Sequence, residues 1–129
     1  MKRGFTLLEL IVVIIVIGIL AALGFAQYTT VLEKARTGEA KMILGQIRTA
    51  QVLYNQQYSG YTTTIGNLAV DVTTACDSST YFSYSVGTAG EARAQRCTAS
   101  SKNPIGPTSY YINLTYTGGV ISGDIAKYY

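Results

Sequence analysis

An uninterrupted apolar segment near the N-terminus constrains this chain more than any other feature. Residues 10–26 include no charged or polar side chain, and the apolar pattern begins at Phe5. As an α-helix, residues 5–26 would be about 33 Å long, which matches the ~30 Å hydrocarbon thickness of a bilayer. Lys2 and Arg3 precede the segment, so we expect this end to stay in the cytoplasm while the rest of the chain is exported.

The composition disfavours catalysis, metal binding and nucleic-acid binding. There is no histidine, the commonest general base and transition-metal ligand, and two cysteines cannot build a four-ligand zinc site. The acidic residues Asp71, Asp77 and Asp124 are too scattered to indicate calcium. The net charge of +3 falls nearly to zero without Lys2 and Arg3, so no basic surface for nucleic acid is expected. No cofactor is expected, and a membrane-anchored enzyme stays only a formal alternative.

Glu9 is the one charged residue in the first turns of the apolar segment. A carboxylate inside an apolar span costs up to about 2.5–3.5 kcal/mol at the bilayer centre, and less near the edge. Neither a cleaved secretory signal nor a plain single-pass anchor accounts for such a residue. It therefore calls for a partner.

The N-terminal residues resemble the prepilin signature of bacterial type IV pilins and pseudopilins. The resemblance depends on the basic leader, on Gly4 before Phe5, and on Glu9 at the fifth position of the apolar helix. It implies that a membrane-embedded prepilin peptidase cuts between Gly4 and Phe5 and that the new amine of Phe5 is N-methylated. Residues 1–4 would then be the leader peptide. Residues 5–26 would be the transmembrane and filament-core helix, and residues 27–129 the exported pilin head.

The resemblance also implies a role for Glu9 in assembly. Cleavage would create an amine on Phe5 with an ordinary pKa near ~7.7–8.0, and methylation leaves an amine that can still carry charge. An unpaired charge is costly in an apolar assembly, whereas a pair with Glu9 of a neighbouring subunit is tolerable and would fix the axial register. Alternatively, Glu9 pairs with its own amine or reaches the membrane surface.

By this resemblance the chain is a structural protein, the precursor of a type IV pilin. It implies a single-pass monomer in the bacterial inner membrane that becomes part of a helical homopolymer, an extracellular pilus. Partners would be the prepilin peptidase and an inner-membrane assembly platform with a cytoplasmic ATPase. Such filaments serve roles such as cell adhesion and twitching motility. The alternative is a pseudopilin of a type II secretion or DNA-uptake machine, which shares every N-terminal feature.

One position departs from the family pattern. Pilins commonly carry proline at the position of Ala26, where the helix bends or unravels during assembly, whereas this chain has Gly18 and Gly24 instead. Glycine costs about 0.8–1.0 kcal/mol in a helix interior relative to alanine. The stretch between the two glycines is therefore predicted to be the flexible part of the helix.

From Gln27 the pattern becomes amphipathic, which predicts that the helix continues to Tyr58 and stops near Gly60. Glu33 is assigned with the other charged residues to faces away from the core. The core-facing stripe of this helix is assigned to Val31, Ala35, Met42, Ile43, Ile47, Ala50, Leu53 and Tyr54.

Alternating apolar residues predict strands over 81–86, 110–117 and 120–122. Residues 91–99 predict a more polar strand with the character of a sheet edge. Gly118 and Gly119 predict a hairpin turn. The predicted fold is α+β, with a long N-terminal helix packed on a small antiparallel sheet of three or four strands. The pilin family implies the same layout.

Cys76 and Cys97 lie nearly symmetrically about a predicted turn at residues 87–90. An antiparallel hairpin could bring them opposite each other, and exported domains favour disulfides. A disulfide is therefore expected to staple the hairpin, with two free buried thiols as the alternative.

Overall fold

The predicted α+β fold is confirmed. The computed structural model describes residues 4–87, 90–98 and 109–124. Within these residues, one α-helix, α1, and a 3₁₀ helix precede four strands, β1 to β4, which form one antiparallel sheet in chain order. The elements are α1 Leu7–Tyr58, the 3₁₀ helix Ile65–Asn67, β1 Phe82–Val86, β2 Glu91–Arg96, β3 Tyr111–Thr115 and β4 Ile121–Gly123.

The chain divides into two compact units, residues 1–32 and residues 33–129. The first unit contains the apolar N-terminal part of α1. The second, which we call the head unit, contains the remainder of α1, the 3₁₀ helix and the whole sheet.

The buried side of α1 in the head unit is half polar. Its buried residues recur at alternating steps of four and three, the spacing of one helix face. These residues are Glu33, Thr37, Ala40, Leu44, Ile47 and Gln51. The polar members are satisfied: the Gln51 amide donates to the Thr62 carbonyl oxygen at 2.6 Å and accepts from the Thr62 backbone N–H at 3.0 Å.

The core-facing stripe predicted for α1 is therefore wrong in half of its members. Ile47 is buried, and Ile43, Ala50 and Tyr54 pack partly against the core. The wrongly assigned residues, all exposed, are Val31, Ala35, Met42 and Leu53. The assignment of Glu33 to an outward face is also wrong, because its carboxylate has buried partners that hydrophobicity cannot reveal.

The sheet places its alternate side chains against α1. Phe82, Tyr84, Ile112 and Leu114 are buried in one core cluster with Ala40, Leu44 and Ile47 of the helix. The predicted strand pattern is confirmed for β1, β3 and β4, whose bounds differ from the expectation by one or two residues.

The expectation of an edge-like second strand is wrong. β2 lies inside the sheet, paired with β1 on one side and with β3 on the other, and it ends at Arg96. Its core side is made by Ala92 and Ala94, both fully buried. Because alanine contributes little hydrophobicity, the alternation of Ala92 and Ala94 with polar residues gave this central strand the sequence pattern of an edge strand.

The chain reversals after α1 and between β3 and β4 use backbone with positive φ. α1 ends at Tyr58 as predicted, but the residue in the left-handed region is Ser59, with φ 55°, and not Gly60. Gly118 and Gly119 have φ of 81° and 66° and form the predicted turn between β3 and β4, where side chains would be strained.

The predicted disulfide between Cys76 and Cys97 is confirmed, with a Cα–Cα distance of 5.5 Å. The cysteines do not face each other across the hairpin ladder. Cys97 follows β2, and its backbone N–H donates to the Tyr81 carbonyl oxygen at 2.9 Å. Cys76 lies in the loop before β1. The bond therefore ties that loop to the end of a central strand.

Replacing both cysteines by serine should lower the free energy of unfolding of the head unit by about 2–4 kcal/mol, since a closed loop restricts the unfolded chain. Urea denaturation of the full chain in detergent, under non-reducing conditions, measures this. Wild-type protein treated with reductant should match the variant. An unchanged midpoint would contradict the structural role of the bond.

Candidate assembly site

The N-terminus of α1 is closed by a side-chain cap. The Thr6 hydroxyl accepts a hydrogen bond from the Glu9 backbone N–H at 3.2 Å and donates to the Glu9 carboxylate at 3.4 Å. A threonine followed three residues later by a glutamate has the spacing of a capping box. The spacing of Thr6 and Glu9 is a sequence signal for this cap, which the predictions above did not include. The cap leaves residues 4–6 outside the helix.

Glu9 lies in the first turn of α1 and is exposed. A negative charge there is favoured by the positive end of the helix dipole. Among the residues that the structure describes, the two ion pairs both involve Glu33, and Glu9 belongs to neither. Within that described part, the Glu9 carboxylate accepts a hydrogen bond from the Thr6 hydroxyl.

The apolar part of α1 is exposed around its whole circumference. Among residues 10–25, every large apolar side chain is at least 41% exposed. Consecutive residues point about 100° apart on a helix, so these side chains cover all sides of it. Within the described chain, α1 is the single helix that is long and apolar enough to cross a membrane. A helix apolar on every side requires a bilayer or an apolar assembly around it.

The glycines singled out in the sequence are unobstructed in the monomer. Gly4 precedes the helix, beside the 74% exposed Phe5. Gly18 and Gly24 lie within continuous α-helix. A Cβ atom added at any of these three glycines would meet nothing within 4 Å. Packing within the monomer therefore gives no reason for glycine there, and the predicted flexibility of residues 18–24 stays a prediction.

A second polar cluster lies inside the head unit, around the carboxylate of Glu33. Arg96 Nε donates to Glu33 Oε1 at 2.6 Å, and Arg96 Nη2 donates to Oε2 at 3.3 Å. Arg36 Nη1 adds a hydrogen bond to Oε2 at 3.0 Å, and the Tyr110 hydroxyl donates to Oε1 at 2.7 Å. The cluster joins α1, the end of β2 and the residue before β3.

The third guanidinium nitrogen of Arg96, Nη1, also has hydrogen-bond partners. It donates to the carbonyl oxygens of Tyr81 at 3.1 Å and of Cys97 at 2.9 Å. The Tyr81 ring lies 4.1 Å from the guanidinium of Arg36 and 5.2 Å from that of Arg96. Because these groups take their partners from within the monomer, we assign the cluster to fold stability. No sequence signal pointed to it, since Arg96 is 63 residues from Glu33.

The cluster sets the ionisation of its members. Burial by itself would raise the pKa of the Glu33 carboxyl, but hydrogen bonds from Arg96 and Tyr110 and the charge of Arg96 outweigh burial and lower this pKa below 4.5. Burial, aided by the Glu33 carboxylate, raises the pKa of the Tyr110 phenol above 10, so its hydroxyl stays protonated and donates.

These shifts predict acid sensitivity of the head unit. A carboxyl whose pKa is lowered by folding stabilises the fold above its unfolded pKa, and this contribution is lost as the pH falls through the folded value. The difference in unfolding free energy between the wild type and Glu33→Gln should therefore shrink steadily below about pH 4.5. Urea denaturation between pH 7 and pH 3 measures it. A difference that stays constant across this range would contradict the prediction.

The described residues hold no group of three or more side chains able to bind a metal ion. A groove of about 630 Å³ lies beside the end of α1, but its lining, which includes Leu53, Tyr54 and Val70, offers no catalytic pair. The candidate functional site is therefore the N-terminal segment, comprising Gly4, Phe5, the Thr6–Glu9 cap and the exposed apolar surface of α1.

Comparison with known proteins gives matches in this same segment. Residues 1–25 match the model of the prokaryotic N-terminal methylation motif. The chain is 40% identical over 50 residues to the type IV major fimbrial protein FimA of Dichelobacter nodosus, an alignment covering 39% of this chain and 32% of that protein. It is 37% identical over 68 residues to the type IV major pilin protein PilA of Myxococcus xanthus strain DK1622, covering 50% of this chain and 31% of PilA.

These matches confirm the resemblance stated from the sequence. Residues 1–25 carry the methylation motif, and the aligned part of the chain is homologous to the type IV pilin proteins FimA and PilA. The aligned regions span about a third of the length of these relatives.

Proposed function

We propose that this chain is the precursor of a type IV pilin, processed after Gly4 and polymerised through the apolar part of α1. The observation that carries the proposal is the combination of the methylation motif with a helix whose apolar side chains are exposed on every side. Its role is structural and not catalytic.

The exposed apolar surface explains why the chain needs two environments. Burying one Leu, Ile or Val side chain is worth about 1.5–3 kcal/mol, so a helix exposing a continuous series of them is not stable in water. The bacterial inner membrane would hold the monomer, with the N-terminus in the cytoplasm. A bundle of neighbouring α1 helices in an extracellular pilus would then replace lipid. This transfer requires an assembly platform driven by a cytoplasmic ATPase.

Processing by a prepilin peptidase is supported by the geometry before α1. Peptidases act on extended backbone, and the Thr6 cap keeps residues 4–6 outside the helix. Cleavage between Gly4 and Phe5 would leave Phe5 as the first residue, ready for methylation of its amine. Glu9 would stay one turn into the helix, available to the amine of a neighbouring subunit.

Gly4→Val should leave the leader attached and abolish filaments, because the peptidase must then accommodate a branched side chain beside the cut. The monomer should still insert, since a Cβ atom at Gly4 meets nothing within 4 Å. Immunoblotting of membranes and of sheared filaments measures both outcomes. Gly66→Val is the matched control at an equally unobstructed glycine of the head unit. Normal filaments built from shortened Gly4→Val chains would contradict the processing proposal.

The second candidate is a pseudopilin of a type II secretion or DNA-uptake machine. The homology of the N-terminal part to FimA and PilA, both named as major subunits, favours the pilin. Immunogold imaging separates the two: long surface filaments containing this chain support the pilin, and short structures confined to the periplasm support the pseudopilin.

A further inference from the structure

The outer face of the sheet, directed away from α1, carries a row of polar residues across all four strands. The strand register places Ser85 of β1 opposite Arg93 of β2, Arg93 opposite Asn113 of β3, and Asn113 opposite Ser122 of β4. Neighbouring strands lie about 4.8 Å apart, so the row is about 14 Å long, comparable to a short oligosaccharide.

Arg93 is held in place at the middle of this row. Its Nε donates to Asn113 Oδ1 at 3.0 Å, and its guanidinium lies 4.5 Å from the centre of the Tyr111 ring. Its two Nη groups make no hydrogen bond or ion pair with the residues that the structure describes. Glu91, on the same face, forms no ion pair with it there. A guanidinium fixed in this way presents a ready fork for a carboxylate.

The surroundings of Arg93 favour a carbohydrate over a protein. A protein interface buries apolar and aromatic anchors at its centre. An exposed aliphatic side chain borders this face at Val120, directly before β4 and beside Thr115, which lies at one end of β3 and not beside Arg93. The outward residues within the described strands themselves include no aliphatic side chain; they are Ser83, Ser85, Glu91, Arg93, Gln95, Tyr111, Asn113, Thr115 and Ser122. The arginine can pair with a carboxylate of an acidic sugar, and the hydroxyl and amide groups around it can hydrogen-bond to the sugar hydroxyls.

We propose that this outer face binds a polysaccharide that carries carboxylates, such as a polymer of uronic acids. Arg93 takes one carboxylate through its two Nη groups, and Ser85 and Ser122 hydrogen-bond to sugar hydroxyls on either side. The proposal goes beyond the filament role and does not depend on it, because binding is measured on the monomer.

The test uses the full chain in detergent micelles and isothermal titration calorimetry with oligogalacturonate. The same oligomer with its carboxyls methyl-esterified is the uncharged counterpart. The acidic oligomer should bind at least about tenfold more tightly than the ester, since charge-assisted hydrogen bonds are worth roughly twice neutral ones. Arg93→Gln should remove this preference, and Arg93→Lys should keep part of it. Lys34→Gln removes an equal charge from an exposed position of α1 and should change nothing.

Three results would overturn the proposal. These are equal binding of the acidic and esterified oligomers, equal losses from Arg93→Gln and Lys34→Gln, and the absence of binding by the wild-type chain. The second result would indicate general attraction to net positive charge. If Arg93→Gln instead reduced filament yield while the wild-type chain did not bind the oligomer, the face would be a contact between subunits. The melting temperature of Arg93→Gln is measured alongside, because this variant loses the hydrogen bond to Asn113. A cooperative unfolding transition well above the temperature of the titration would exclude misfolding as the cause of lost binding.

Discussion

Cells that produce only the Glu9→Val chain are expected to accumulate cleaved, membrane-held subunit and to form few or no filaments. In the proposed assembly, the Phe5 amine of one subunit enters an apolar helix bundle and pairs with Glu9 of another. Removing one member of a buried charge pair typically costs about 3–5 kcal/mol, because the remaining charge is uncompensated. That cost would recur at every subunit contact. Membrane insertion should become more favourable, since a charged group leaves the apolar segment.

The measurement is the ratio of sheared filament to membrane-bound subunit. Glu9→Asp should give an intermediate yield, because it keeps the charge and shortens its reach. Glu39→Val is the matched control, since Glu39 is an exposed glutamate on α1 in the head unit, and it should assemble normally. A wild-type filament yield from Glu9→Val would refute the intersubunit role of this carboxylate.

The second large effect is expected inside the head unit. Arg96→Met should lower the free energy of unfolding by about 3–5 kcal/mol, because it leaves the buried Glu33 carboxylate without its main partner. Adding Glu33→Gln should recover part of the loss, since it removes the uncompensated charge. Urea denaturation of the full chain in detergent gives these values, and the double-mutant cycle isolates the interaction between the two residues.

Arg93→Met is the matched control for this experiment. It makes the same substitution three residues earlier on β2, where the arginine is exposed and its loss leaves no buried charge behind. Because Arg93→Met still removes the hydrogen bond to Asn113, it should cost about 0.5–1.5 kcal/mol, clearly less than Arg96→Met. Equal effects at Arg93 and Arg96 would contradict the assignment of Glu33 and Arg96 as the central charge pair of the head unit.

The features predicted best from the sequence were those encoded locally. The continuous apolar segment and the amphipathic region after it predicted one helix ending at Tyr58, which is where α1 ends. Period-two alternation predicted the strands β1 and β3, and Gly118 and Gly119 correctly predicted the turn between β3 and β4. These signals depend on neighbours within a few residues of each other.

The errors arose where a distant partner determines the structure. Glu33 faces the core because Arg96 and Tyr110 surround its carboxylate there. Hydrophobicity alone placed Val31 and Met42 on that face, yet they are 63% and 64% exposed. The central position of β2 was hidden for a related reason, because its inward residues are alanines and a buried arginine.

The structure places the residues of the N-terminal site at or just before the start of α1. The assembly roles of Gly4, Phe5 and Glu9 stay predictions. These three residues were predicted from the resemblance of the N-terminus to a known motif. The cap by Thr6 and its hydrogen bond to Glu9 were not predicted, although the three-residue spacing of Thr6 and Glu9 encodes this contact.

The central claim is that the chain is cut after Gly4, methylated, and kept as a filament subunit with its apolar helix intact. Mass spectrometry of the native N-terminus, on protein recovered from sheared surface filaments and from membranes, tests it most directly. The account predicts that both pools consist of residues 5–129 and begin with N-methylated Phe5. A mature chain that begins near Gln27 would mean an ordinary secreted protein without its apolar helix, and would contradict the account.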